Sequence, residues 1–284
     1  MKRKMLIVSA MLASMVAITA TALPFLLHGA GLHPEYQGEV AGALPGNRAL
    51  IITTSHGVLA PEGETGGDPT GVMASEFTHP YYNFLASGLE VDIASIKGGQ
   101  IPVDLQTLTY VVRSPEDERY LGDDVLLAKV SNSLLIDDVD VSQYDIIFLS
   151  GGWGAAYDLG QSEVLTEKIS EGYYSDKKPL IGGVCHGVLG LINAKNEEGD
   201  LLITGRRMTG VTDKQIKELG IEVTPLHPES ELRQAGVMFE SNTAFRDIFA
   251  THTVVDDEAR FVTGQNQNSG HTTAQAMLAL LSRR

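Results

Sequence analysis

The segment Asp145-Ile146-Ile147-Phe148-Leu149-Ser150 sets four large apolar residues in a row with no polar residue among them. A strand that alternates can leave one face in water; this one cannot, so it predicts a strand inside a sheet covered on both sides. Ala49–Thr54 and Pro179–Val184 repeat the pattern, and Leu89–Ile96 carries a weaker, partly alternating version. Helical signals fall between these runs. Thr70–Ser87 reads as a helix closed by Gly88, and a second helix is expected near Val164–Gly172. Thr212-Asp213-Lys214-Gln215 fits a capping box that opens a helix ending at Gly220. Ser269–Leu281 repeats apolar residues at helical spacing, with Ala276 and Leu280 beside Met277 and Leu281. Gly98–Val141 reads as a helical excursion, and His252–Val255 with Arg260–Thr263 as a hairpin around Asp256-Asp257-Glu258. Strands that alternate with helices imply an α/β domain with a mostly parallel central sheet and helices on both faces.

The N-terminus has a different character. Lys2, Arg3 and Lys4 precede an uncharged, mostly apolar run of 23 residues from Met5 to Leu27. About 20 apolar residues suffice to cross a bilayer as helix. The run is therefore expected to be a transmembrane anchor over residues 1–27, its basic leader holding the N-terminus in the cytoplasm. The folded domain would then face the periplasm or the cell exterior. Ala20-Thr21-Ala22 leaves open the alternative of a cleaved signal segment and a secreted product. Residues 28–47, rich in Gly and Pro, read as a linker, and the domain as residues 48–284. The net charge of −15, with 18 positive against 36 negative charges beyond the first four residues, excludes nucleic acid as a partner.

The chain has one cysteine, so no intramolecular disulfide can form. An unpaired Cys is either a small buried hydrophobe or a reactive thiol. Its setting favours the second reading. In Gly182-Gly183-Val184-Cys185-His186-Gly187 a buried strand ends and a helix starts at once, with glycines on both sides. A nucleophile lifted onto such a sharp turn sits in a strained backbone conformation that leaves no room for bulky neighbours. The N–H groups of the following helix would favour thiolate over thiol, and could hold an oxyanion formed by attack on a carbonyl. His28, His33, His56, His79, His227, His252 and His271 show no ligand spacing, and Gly151-Gly152-Trp153-Gly154 lacks the Lys of a phosphate-cradling loop. No metal and no cofactor is implied.

Five ordered motifs carry a resemblance that spans Arg48 to the C-terminus. They are Thr70-Gly71-Val72-Met73-Ala74-Ser75-Glu76 with His79-Pro80, Ser150-Gly151-Gly152-Trp153-Gly154, Val184-Cys185-His186-Gly187, Thr209-Gly210-Val211-Thr212-Asp213 and Val262-Thr263-Gly264-Gln265-Asn266. On these the chain resembles the ThiJ/PfpI superfamily, with its glutamine amidotransferase-like, flavodoxin-like three-layer sandwich. Within that group it looks most like the branch of glutathione-independent glyoxalases (glyoxalase III) and stress chaperones. The resemblance implies that Glu76 sits beside the Cys185 sulfur, that His186 is the general base, and that the backbone at Gly152 and His186 binds an oxyanion. Two positions depart from the branch. Ile216 stands where an acid usually orients the histidine, leaving only Asp213 nearby on the same helix. Trp153 replaces a His and is expected to shape the substrate pocket.

The expected activity is thus cysteine-dependent chemistry on a small carbonyl compound, such as conversion of methylglyoxal to lactate without glutathione. A redox-sensing or chaperone-like stress protein that uses the same cysteine is the alternative. The oligomeric state is left open, a homodimer included.

Overall fold

The computed structural model describes residues 21–284. Its main sheet has seven strands: β1 (Arg48–Thr53), β2 (Glu90–Ser95), β3 (Leu134–Leu135), β4 (Ile146–Leu149), β5 (Leu180–Val184), β6 (Thr253–Val255) and β7 (Phe261–Gly264). They lie in the order β6-β7-β5-β4-β1-β2-β3. Every neighbouring pair is parallel except β6 and β7, the expected hairpin. The expected three-layer α/β sandwich is the fold observed.

Both faces of the sheet are covered, which is why its inner strands are continuously apolar. Ile51, Ile146, Phe148 and Leu180 join one core with Phe77 and Phe84 of α1 (Ala74–Ala86). Leu50, Ile52, Ile147 and Ile181 join the other with Leu165 and Ile169 of α2 (Glu163–Tyr174). Thr212 accepts the Gln215 N–H at 3.0 Å to cap α3 (Asp213–Leu219), and Gly220 ends it at φ +71°. The last helix, α4 (Gly270–Leu281), packs its Met277 and Leu278 into the same core as α1.

Helix α1 starts later than the sequence predicts because Thr70–Met73 is held extended. The Val72 N–H donates to the Pro102 carbonyl at 2.8 Å, and the Asp104 N–H donates to the Val72 carbonyl at 3.0 Å. This pairing places Met73 at the start of α1, and with it the position of Glu76.

The membrane expectation is corrected. Residues 1–20 of the proposed anchor lie outside the described residues. Residues 21–29 are helical and the chain turns at Ala30; among the described residues no helix is long and apolar enough to cross a membrane. Phe25 and Leu26 are exposed, whereas two of the segment's leucines meet the domain. Leu27 and Leu32 line a cavity of the domain, and Leu32 is buried. Residues 31–33, read as linker, are tied down: the His33 N–H donates to Asn268 Oδ1 at 2.8 Å, and Asn268 Nδ2 donates to the Gly31 carbonyl at 2.7 Å. The transmembrane anchor, the membrane as a partner and the exported location are withdrawn.

Candidate active site

Cys185 stands where β5 ends and a run of 3-10 turns, Cys185–Leu191, begins. Its φ of +57° lies in the left-handed region that non-glycine residues seldom occupy. Two glycines make the turn possible. A Cβ on Gly187 would strike the Leu149 carbonyl at the end of β4, and one on Gly151 would strike the Glu76 carboxyl and the His186 and Gly187 amides. Strand ends β4 and β5 and the start of α1 therefore meet around one sulfur atom.

Glu76 reaches that point through an unusual helix. Pro80 lies inside α1 and has no N–H to give the carbonyl of Glu76 four residues earlier. Ser150 Oγ supplies the missing donor at 2.9 Å. The His79-Pro80 and Ser150-Gly151-Gly152 motifs are thus two halves of one contact, which pins the backbone of Glu76 to the end of β4.

The Glu76 carboxyl is fully buried. The Cys185 thiol and the Gly151 and Gly152 amides lie against it. Burial pushes its pKa up to about 8, and those three donors pull it partway back. The thiol of Cys185 is likewise raised well above its ordinary value, first by burial and then by the Glu76 charge. The His186 and Gly152 amides face the sulfur and oppose that rise without overcoming it. The thiolate that the sequence reading expects at a helix N-terminus is therefore not the resting state. A short 3-10 run has little dipole, and a second negative charge against a dry carboxylate is disfavoured. The pair holds on to its protons, and at most one of the two groups ionises easily.

His186 is placed differently from Glu76. Its Nδ1 lies 3.4 Å from Cys185 Sγ, while Nε2 is buried without a hydrogen-bond partner. Burial, aided by His227, lowers its pKa to about 3, so the ring is neutral and a weak base. No carboxylate among the described residues hydrogen-bonds to it. Asp213 accepts instead from Ser230 at 2.8 Å, and Ile216 is buried in the core. Of the two groups that face the sulfur, the Glu76 carboxylate is the stronger base. Trp153 packs against the His186 ring at 5.1 Å between centroids.

Cys185, His186, Gly152 and Trp153 all line one cavity of about 450 Å3. Glu76 is not itself a lining residue, but its carboxyl lies against Cys185 and Gly152, which are. A larger cavity of about 930 Å3 contains none of these residues, and its Arg206 is engaged by Asp256 and Glu258.

The fold also assembles a cluster that linear spacing conceals. His79, Glu116 and His271 bring possible ligand atoms within 4.8 Å of one another. A hydrogen-bond chain fixes the tautomer of His271. The Ala41 N–H donates to Gln275 Oε1, Gln275 Nε2 donates to Asn83 Oδ1, and Asn83 Nδ2 donates to His271 Nδ1. In the neutral ring the proton then sits on Nε2, the atom that faces Glu116 at 3.5 Å. That tautomer donates to the carboxylate and offers no lone pair to a cation there.

A sheet of this order, bearing a cysteine on the turn after β5 and a buried Glu from α1, defines the DJ-1/PfpI class of proteins. The model of the DJ-1/PfpI family matches residues 69–278, and the chain belongs to that family. Glyoxalase 3 of Candida albicans is 30% identical over 221 residues, covering 75% of this chain and 90% of that protein. Among solved structures, Rapid Encystment Protein 24 kDa of Francisella tularensis superposes with a TM-score of 0.74 at 31% identity, over 83% of this chain and 99% of that one. Glyoxalase III of Candida albicans superposes with a TM-score of 0.70 at 26% identity, over 82% and 97%. The family resemblance drawn from the ordered motifs holds.

Proposed function

We propose that this protein is a glutathione-independent glyoxalase that converts a 2-oxoaldehyde to a 2-hydroxy acid through covalent attachment at Cys185. The observation that carries the reading is the meeting of a buried carboxyl, a thiol and two backbone amides around one sulfur atom at a cavity wall. The relatives named glyoxalase support it, being 25–30% identical over three quarters or more of the chain.

The chemistry follows from the order of basicity. The Glu76 carboxylate takes the thiol proton as Sγ bonds to the aldehyde carbon, and the former carbonyl oxygen gathers charge against the Gly152 and His186 amides. Glu76 returns the proton to that oxygen, giving a hemithioacetal. The same carboxylate then removes the hydrogen of the attacked carbon as a proton and gives it back at the neighbouring carbon. The hydroxyl proton on the first carbon passes to the neighbouring oxygen, so the first carbon becomes a thioester carbonyl and the second a carbinol. Water cleaves the thioester, which releases the hydroxy acid and restores the thiol. The net change is addition of one water, with no external oxidant or reductant. His186, neutral at Nδ1, orients the sulfur.

A redox-sensing thiol needs an accessible sulfur of low pKa. Cys185 is 6% exposed and its pKa is raised, which counts against the sensor reading; attack on a carbonyl in the cavity then depends on the adjacent Glu76 taking the thiol proton. The test is lactate formation from methylglyoxal in the absence of glutathione. Wild type should turn over and Cys185→Ser should lose at least a hundredfold; equal rates would refute the proposal.

A further inference from the structure

The cavity at Cys185 has far more room than a three-carbon oxoaldehyde fills, since 450 Å3 lies in the range that encloses drug-sized ligands. Its walls are mostly apolar, with Leu27, Leu32, Trp153, Val211, Ile248 and Phe249 among them. The polar side chains in the wall are largely committed to protein partners. Asp104 accepts from Thr70 Oγ1 at 3.1 Å, and Thr107 Oγ1 donates to the Asp104 carbonyl at 2.6 Å. Gln215 accepts from Asn266 at 3.0 Å, and Gln267 donates to the Ile248 carbonyl at 2.8 Å. His33 spends Nε2 on the Val112 carbonyl at 2.8 Å, and Arg246 is exposed. Apart from the reacting groups, Arg246 and the unpartnered Nδ1 of His33, such a cavity offers a ligand mainly dispersion contact and water exclusion.

We propose that this pocket selects 2-oxoaldehydes that carry a bulky apolar substituent, an alkyl chain or an aryl ring. Leu27 and Leu32 of the N-terminal segment form part of the seat of that substituent. The inference rests on the glyoxalase reading and goes beyond it. It gives the N-terminal segment a role in specificity: the segment supplies wall, and its side chains are available to meet whatever is attached to the reacting dicarbonyl. The carbonyl end is held at Cys185, and the substituent extends past Trp153 toward Leu27 and Leu32.

The experiment compares kcat/KM for methylglyoxal, phenylglyoxal and hexylglyoxal on the full chain without glutathione. Hexylglyoxal is expected to exceed methylglyoxal by at least tenfold, with phenylglyoxal also above it. Leu32→Ser should cut the hexylglyoxal-to-methylglyoxal ratio at least fivefold. Leu27→Ser, at a less buried position, should move the ratio the same way and covers the case in which the first variant does not fold. A flat or falling series in wild type overturns the pocket assignment and leaves the glyoxalase reading standing. A rising series whose ratio neither variant alters overturns the role of the N-terminal segment. No turnover of any of the three compounds overturns the glyoxalase reading and this inference with it.

Discussion

The Glu76 carboxyl lies against the Cys185 thiol, whose pKa is raised first by burial and then by the Glu76 charge once that group ionises. Replacing Glu76 by Gln removes that charge while keeping the shape. The pH midpoint for alkylation of Cys185 by iodoacetamide should therefore move to lower pH in Glu76→Gln. Turnover should nevertheless fall by about 10²-fold or more, the usual loss when a positioned base is removed. A sulfur that alkylates more readily but catalyses less is the signature. A midpoint that stays in place or rises would show that the charge of Glu76 does not govern the thiol.

The same carboxyl predicts how stability depends on pH. Its folded pKa of about 8 stands above its ordinary value of 4.5. Between those values the unfolded chain has lost the proton and the folded chain has kept it, so the unfolded state binds fewer protons. Stability contributed by this group then falls as pH rises through that window, and levels off above it. Glu76→Gln should flatten the decline and be more stable than wild type by about 2–4 kcal/mol at pH ~8. Urea unfolding at pH ~5 and pH ~8 measures the difference; a wild-type curve that rises across the window would contradict the assigned protonation.

Ser150 and Pro80 should be energetically coupled. Ser150→Ala leaves the Glu76 carbonyl buried without a donor, at a cost of about 1–3 kcal/mol. In a Pro80→Ala background the restored N–H can bond that carbonyl within the helix, and the same Ser150→Ala change should cost less. A double-mutant cycle followed by denaturant unfolding reads the coupling. Strict additivity would mean that the hydroxyl is not replacing the missing helical bond.

His186 should stay neutral through the whole working range of pH. With its pKa lowered to about 3, no acid limb near the usual histidine value is expected in the kcat/KM profile. Nitrogen NMR of the ring should show no titration above pH ~5. A titration close to 6.5 would restore the histidine as a candidate general base.

Much of this was legible in the sequence, and the limits have physical causes. The four-residue apolar core of β4 can only be a strand buried on both faces, and Thr212 and Gly220 mark the ends of α3 by their own chemistry. The glycines around Cys185 announce the turn because their missing Cβ atoms make the room. The N-terminal segment was misread because an apolar side chain carries no record of whether lipid or protein covers it; Leu27 and Leu32 meet the domain's own cavity. Basicity was also out of reach. That Glu76 outranks His186 depends on burial and on His227, neither of which follows from spacing. The His79, Glu116 and His271 cluster joins three distant segments, and a linear pattern search has no means of finding it. The link from Ser150 to Glu76 could have been suspected, since a proline inside an otherwise regular helix leaves one carbonyl that must find a donor elsewhere.

The covalent step can be observed most directly by quenching the enzyme in acid during steady-state turnover of methylglyoxal and weighing the peptide that contains Cys185. A mass gain equal to one substrate molecule, on Cys185 alone, is the predicted result. Lactate formation at full rate with Cys185 unmodified at every time point, or undiminished in Cys185→Ser, would contradict the account.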